Sequence, residues 1–212
     1  MEFDILHQDH PDRGEVIDYI HRKFAQAYNA DVKTFMPNFI RVRYSKDAYK
    51  SVMGYRDAAN HKLYLENYLD DPIEEVIGRY IGQPVDRSSI VEVGNMVEDQ
   101  PGDARLAIIT ATAYFHSVGY RWVVFTGVGK LRNAFRRLGL NPLELMEADD
   151  SRLSDEERKS WGTYYKGRPV ICFGDIQSGY TNLQELWSML RATWSSAVKQ
   201  GEMKRRDEEP KA

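Results

Sequence analysis

The chain has 212 residues, with 29 Lys and Arg against 32 Asp and Glu, a formal net charge of −3, and one cysteine, Cys172. That length suits one domain of ordinary size plus a tail, and 42% apolar residues suffice for a core. The slightly acidic balance argues against a nucleic-acid binder, the lone cysteine excludes an internal disulfide, and no apolar run reaches the roughly 20 residues of a membrane-spanning helix. Met1-Glu2-Phe3-Asp4 is acidic and lacks the apolar stretch of a secretory signal, so the expected location is the cytoplasm.

Phe3 to Leu6 reads as a short strand, and Pro11 to Gly14 opens a helix whose Val16, Ile17, Ile20, Phe24 and Tyr28 share one face. Phe39 to Tyr44 alternates as a half-buried strand does, and a second strand covers Ser51 to Tyr55, with a turn near Asn60. Tyr64 to Leu69 reads as a strand end or a bend. Pro72 suits a first helical turn, followed by Ile73, Val76, Ile77 and Tyr80. Ile90 to Val93 is a strand, Ala104 to Val118 a largely apolar helix stopped by Gly119, and Arg121 to Thr126 a near-continuous apolar strand of the kind covered on both faces. Lys130 to Leu138 is a short basic helix. Strand, helix, strand, helix in this order predicts a right-handed crossover and a parallel pair. Tyr164 to Phe173 reads as a late hairpin. From Thr181 a helical stripe runs through Leu183, Leu186, Trp187, Leu190, Trp194 and Val198, with Thr181 and Gln184 set as a capping box. The expected organisation is a body over residues 1–180, an amphipathic helix over 181–200 and a charged, disordered tail over 201–212.

One break carries the functional reading. Between two buried elements stands Asp99-Gln100-Pro101-Gly102-Asp103-Ala104. A helix N-terminus leaves several N–H groups without partners and carries partial positive charge, and a glycine there lets an anion approach the backbone. The segment resembles the loop that N-acyltransferases of the GNAT fold use for the pyrophosphate or pantetheine of an acyl carrier. Gly and Ala stand in the expected places, whereas Asp99 replaces the usual Gln or Arg, and Asp99 and Asp103 add negative charge. A tight turn with Asp103 capping the helix is the structural alternative. Lys130, Arg132, Arg136 and Arg137 fall on the next helix, which starts on the same sheet edge. They could receive phosphates or an acidic carrier protein, or form a solvated basic face.

The segments "YLENYLDDPIE", "IVEVGNM", "WVVFTGVGKLRNAFRRLGLNPLEL", "EADDSRL" and "WGTYY", spread from Tyr64 to Tyr165, resemble the thermostable haemolysin family. More distantly, the order of elements resembles acyl-homoserine lactone synthases, which are GNAT-fold enzymes taking an acyl chain from acyl carrier protein or coenzyme A. The resemblance implies a GNAT-like α/β (α+β) fold: a mixed, mostly antiparallel sheet with a central parallel strand pair and helices on both faces. It also implies an acyltransferase whose donor is an acyl-CoA or acyl-phosphopantetheine thioester, with no permanently bound cofactor, and whose acceptor is a small amine or amino acid. Those synthases place a strand glutamate before the carrier loop, and Glu92 holds the similar place. They follow it with Ser-Arg, where this chain has Gly94-Asn95, so homoserine-lactone production itself is not expected.

Amide formation from a thioester needs a neutral amine, a base and oxyanion stabilisation. Glu92 is the base candidate, because a glutamate within an apolar strand needs a reason to be there; an outward-pointing edge glutamate is the alternative. Asn95 could bind substrate or shape a turn. Tyr164 or Tyr165 could protonate the leaving thiolate, or simply pack. Gly102, Asp103, Ala104 and Arg105 are the expected donors of N–H groups to the carrier arm, with Lys130 and Arg132 on its phosphates. Glu66, Tyr68 and Thr126 are the expected acceptor-binding residues, Glu66 being open to a purely structural role. Cys172 reads as a packed core thiol, and the five histidines show no metal-ligand spacing, so no metal site is expected. The Trp187 and Trp194 stripe could pack on the body or on a second subunit, making a homodimer, or touch a membrane interface weakly. A membrane-active, non-catalytic protein is the rival to the transferase.

Overall fold

The computed structural model describes residues 1–45 and 48–208, and of the last eight the backbone alone. Seven strands form one sheet: β1 (Glu2–Leu6), β2 (Asn38–Arg43), β3 (Tyr49–Asp57), β4 (Ile90–Glu98), β5 (Trp122–Gly127), β6 (Leu143–Glu147) and β7 (Val170–Asp175). Their order is β1-β2-β3-β4-β5-β7-β6, antiparallel throughout except for the central β4–β5 pair. Six α-helices lie among the described residues: α1 (Arg13–Tyr28), α2 (Ile73–Ile81), α3 (Ala104–Val118), α4 (Gly129–Arg137), α5 (Asp155–Ser160) and α6 (Ile176–Glu208).

Alternation along the strands assigns the layers. Val91, Val93, Phe125 and Cys172 pack with Ala107, Ile108, Ala111 and Phe115 of α3, Phe135 of α4 and Leu183 of α6. Ile90, Trp122, Val124, Ile171 and Phe173 face the other way, onto Ile73 and Ile77 of α2. Val52 and Val97 meet Val16, Ile20 and Phe24 of α1 on that same second face. A mixed, mostly antiparallel sheet with one parallel pair and helices on both faces is therefore what this sequence builds. Pairing strands by two-residue alternation while helices bury 3.6-residue stripes leaves few other arrangements.

Several elements differ from the sequence reading. Tyr64–Tyr68 is a 3-10 turn, because the amides at its start, Tyr64 N–H and Leu65 N–H, each donate to the Glu92 carboxylate at 2.8 Å. The segment expected as a late hairpin instead forms a 3-10 turn at Tyr164–Gly167 followed by β7, which lies between β5 and β6. Strand β6 carries little sequence signal because it is an edge strand whose side chains are mostly exposed. Helix α6 starts at Ile176, not Thr181. Asp175 Oδ1 accepts from Ser178 N–H at 2.9 Å at its start, whereas Thr181 lies inside the helix and bonds back to the Gln177 carbonyl. The residues expected as a tail begin within α6, whose backbone continues to Glu208, and 209–212 lie outside the described residues. No described helix is long and apolar enough to cross a membrane.

The "WGTYY" segment is pinned to the end of α1. Thr163 N–H donates to the Tyr28 carbonyl at 2.8 Å, and Asp31 N–H to the Ser160 carbonyl at 2.7 Å. Gly162 sits between them with φ +55°, and a Cβ there would stand 2.3 Å from the Tyr28 carbonyl oxygen. Both the backbone conformation and the space demand glycine. Gly162→Ala is expected to lower the unfolding free energy by about 1–3 kcal/mol or more. A urea titration with an unchanged slope is the check, and no measurable loss would contradict this packing.

Candidate functional site

Helix-to-sheet packing leaves a cleft on the line between β4 and β5. Their parallel pairing runs only from Ile90/Trp122 to Val93/Phe125, after which β4 continues to Glu98 beside β3 alone. The divergence coincides with a bulge: Val52 pairs with Val97 and Gly54 with Gly94, so Asn95 and Met96 together stand opposite Met53. Asn95 takes the left-handed conformation, φ 47°, that such a bulge needs. Its side chain is tied to the loop after α1, accepting from Met36 N–H at 2.8 Å and donating to the Thr34 carbonyl at 3.2 Å. Gly54 and Gly94 make room for the Met36 side chain, which a Cβ at either would meet at 2.7 Å.

The opening is a cavity of about 530 Å³ that passes through the gap in the sheet. On one side it is lined by Phe24, Tyr28, Tyr64, Trp161 and Tyr164, and on the other by Pro101, Gly102, Leu131 and Phe135. A second, mainly apolar cavity of about 420 Å³ lies between α3, the start of α6 and the β6 edge, and Met53, Val93 and Phe135 line both.

Glu92 lines the first cavity although only 3% exposed. Besides the two turn amides, Arg56 Nε stands 3.5 Å from its Oε2. Burial pushes the Glu92 carboxyl up to about 7, with the Tyr64 and Leu65 amides and Arg56 opposing that rise without cancelling it. A carboxyl balanced between its two forms near neutrality can accept a proton from an incoming group and release it again.

Around it stands an aromatic wall. Trp161 Nε1–H donates to Tyr64 Oη at 2.8 Å, and the Tyr68 and Tyr165 hydroxyls hydrogen-bond each other. Tyr164 donates to the Thr126 carbonyl at 3.3 Å. Burial raises the Tyr164 phenol far above its ordinary value, so it is a poor proton source for a thiolate. The Thr126 hydroxyl is buried without a hydrogen-bond partner, and Thr126 lines the cavity.

The remaining sequence candidates divide. Tyr68, Gly102, Ala104, Arg105 and Lys130 line the cavity beside Glu92, Asn95, Thr126 and Tyr164. Glu66 does not. It accepts from Leu63 N–H and Ile73 N–H and pairs with Arg87 at 2.6 Å, which makes it the structural glutamate left open above. Arg132 also points elsewhere, donating to the Gly127 carbonyl and lying 3.0 Å from Glu144 of β6. Asp103 donates its N–H to the Gln100 carbonyl, and Lys50 Nζ stands 3.5 Å from its carboxylate. Arg137, one of the four basic residues singled out on α4, lines the cavity as well, and so do Arg56 and Asn133, which the sequence reading did not single out. Only the fold turns them inward, although Arg56 in β3 pairs directly with Glu92 in β4. Cys172 is buried, and burial pushes its thiol up to about 12, as a packed and unreactive thiol requires. Among the described residues no three His, Cys, Asp or Glu side chains cluster as a metal ion would need.

The loop at Gly102 is not open. Gly102 N–H and Ala104 N–H donate to Glu98 Oε2 at 2.9 and 3.1 Å, and Lys130 Nζ lies 2.6 Å from Glu98 Oε1. Arg105 N–H donates to the Gly102 carbonyl. The four amides expected to face a donor arm are all bonded within the chain.

Three comparisons place this geometry among known proteins. The chain superposes on the N-acyl amino acid synthase FeeM from uncultured soil microbes with a TM-score of 0.56 and 11% identity, covering 86% of this chain and 99% of that one. It superposes on BjaI, a CoA-dependent acyl-homoserine lactone synthase solved with SAM and isopentyl-CoA, with a TM-score of 0.59 and 10% identity over 86% of this chain and 87% of that one. For TofI in an apo form the TM-score is 0.55 and the identity 15%, over 83% and 91% of the two chains. A putative N-acetyltransferase from Lactobacillus plantarum shares the architecture as well, with a TM-score of 0.52. At such identities the likeness is one of fold, and the GNAT-like architecture implied by the sequence is the one found. No curated protein sequence matches the chain significantly. The thermostable hemolysin family model, in contrast, matches residues 6–180, and the chain belongs to that family.

Proposed function

We propose that this protein is an N-acyltransferase working in the cytoplasm, moving an acyl group from an acyl-carrier-protein or acyl-CoA thioester to a small amine or amino acid. The observation that carries this reading is the cavity through the parted β4 and β5 strands, with the buried Glu92 carboxyl, pushed up to about 7, in its wall. Fold likeness to FeeM and BjaI, which are an N-acyl amino acid synthase and an acyl-homoserine lactone synthase, supports it. Residues 1–180 form the catalytic body on this reading, with 181–200 and 201–212 as appendages.

The acceptor amine lies on the aromatic side, near Glu92, Tyr68 and the unpartnered Thr126 hydroxyl. Its nitrogen attacks the thioester carbonyl while its proton passes to the Glu92 carboxylate, directly or through one water. The oxyanion lies against the main chain at the Asn95–Met96 bulge, where the β3–β4 register shifts. Asn95 serves by holding that bulge to Thr34 and Met36. The C–S bond then breaks and the proton held by Glu92 passes to the departing sulfur, giving an amide and a free thiol. The apolar cavity beyond Met53, Val93 and Phe135 takes the acyl chain.

Thiol release from a panel of acyl-thioesters and amines tests the activity. Turnover is expected with at least one pair, and none with any chain length from the folded protein would overturn the reading. Glu92→Gln is expected to reduce turnover by about 10²–10⁴-fold. The wild-type kcat/KM is expected to climb with pH to a plateau above about 7 as Glu92 loses its proton, and Glu92→Gln should abolish that limb. Linkage has a matching sign. Glu92 binds its proton more tightly folded than unfolded, where the value is 4.5. Its stabilising contribution is therefore whole below about pH 4.5 and is lost as pH rises through about 7. Unfolding titrations of wild type and Glu92→Gln across this window should converge or diverge accordingly. Finally, kcat/KM is expected to rise about fourfold per acyl methylene until the second cavity is full. A flat series would remove that cavity from the donor site.

A second reading rests on α6, where Trp187, Met189, Leu190, Trp194 and Val198 are all exposed and Trp194 is 74% so. Such a stripe suits a second subunit or a membrane interface. Flotation with anionic vesicles, compared between wild type and a Trp187→Ser, Trp194→Ser variant, decides it: full recovery of wild type in the soluble fraction excludes the membrane role.

A further inference from the structure

We propose that Glu98 is a resident anion that sets donor selectivity, holding the place at the start of α3 where a donor phosphate would otherwise bind. This rests on the transferase reading above for its functional meaning, though its binding test does not. The fifteen-residue helix α3 offers amides and a positive dipole end to the cavity. That offer is already taken up. One Glu98 oxygen accepts from Gly102 N–H at 2.9 Å and Ala104 N–H at 3.1 Å, and the other meets Lys130 Nζ at 2.6 Å. Glu98 ends β4 and Lys130 begins α4, so this ion pair also straps the gap where β4 and β5 have parted.

The charges around the loop reinforce the point. Lys23 Nζ lies 3.2 Å from Asp99, and Lys50 Nζ 3.5 Å from Asp103. Each of the three lysines at the loop thus already faces an acid. Arg105 folds back over the turn, its Nε–H donating to the Gly102 carbonyl. A diphosphate entering here must displace the Glu98 carboxylate from two amides and an ammonium, and must then sit beside Asp99 and Asp103. Replacing a charged, hydrogen-bonded group in this way opposes binding strongly. A pantetheine arm presents amides and a thioester, without that charge, and passes the strap by hydrogen bonding along the β4 edge. The donor is therefore recognised through its pantetheine and acyl chain, and a diphosphate contributes nothing at this loop.

The test uses the full chain and two probes. Inorganic pyrophosphate is titrated calorimetrically into wild type, Glu98→Ala and Glu98→Gln. In parallel, kcat/KM is compared for acyl-CoA and the matching acyl-pantetheine. Wild type is expected to show no saturable pyrophosphate binding and little preference between the two thioesters. Glu98→Ala is expected to bind pyrophosphate and to gain about 10–100-fold for acyl-CoA relative to acyl-pantetheine. Should Glu98→Ala not fold, Glu98→Gln, which keeps the shape without the charge, carries the same comparison. Pyrophosphate binding to wild type that neither substitution strengthens would overturn the proposal. If neither thioester is turned over, the transferase reading fails by itself, while the pyrophosphate titration still decides the role of Glu98.

Discussion

Parallel pairing between β4 and β5 lasts for four residue pairs and then stops, and the rest of the molecule is arranged around that interruption. A sheet that parts exposes unpaired main-chain groups, which a folded chain tolerates only where something else meets them. Here the bulge at Asn95–Met96 bends β4 away, and the Asn95 amide locks the bulge to the loop after α1 through Met36 and Thr34. Glycines at 54 and 94, paired across β3 and β4, let Met36 close over the sheet. The gap is thus held open from one side by packing and strapped on the other by Glu98 and Lys130.

Glu92 joins the framework to the chemistry. Its carboxylate anchors the 3-10 turn at Tyr64–Tyr68 through two main-chain N–H groups, and that turn carries part of the aromatic wall. Hydrogen bonds of this kind favour the ionised form, and so does Arg56. Burial opposes them more strongly, and the balance pushes the group up to about 7. A structural anchor alone would gain from staying fully ionised. Glu66 shows that contrast within the same turn: burial raises it, but Arg87 and two amides hold it below the usual carboxylate range.

The Gly102 loop teaches a related lesson about charge. A helix start attracts an anion by its dipole, without regard to where the anion comes from. Four positions before Gly102, β4 supplies one of its own. Partial burial raises the Glu98 carboxyl, yet Lys130 and the Ala104 and Gly102 amides outweigh that effect and keep it ionised. The extra acids at Asp99 and Asp103, which fit poorly with a loop awaiting phosphate, fit well with a loop whose lysines are each matched at home.

The sequence by itself determined the periodic elements. The α3 stripe from Ala104 to Val118, the apolar β5 run and the strand carrying Glu92 are local patterns of burial, and local patterns survive without knowledge of partners. Together with order along the chain they fixed the parallel crossover and the expectation of a carboxylate in the site. Tertiary structure alone decided what those residues touch. The turn at Tyr64 depends on a carboxylate 28 positions away, Glu66 became structural because Arg87 reaches it, and the amides of Gly102 and Ala104 were claimed by Glu98. The edge strand β6 and the true start of α6 were set by neighbours across the sheet and by Asp175. Hydrophobic period is written along one stretch of chain, whereas the partner of a polar group is chosen among residues distant in sequence that only the folded sheet brings within 3 Å or so.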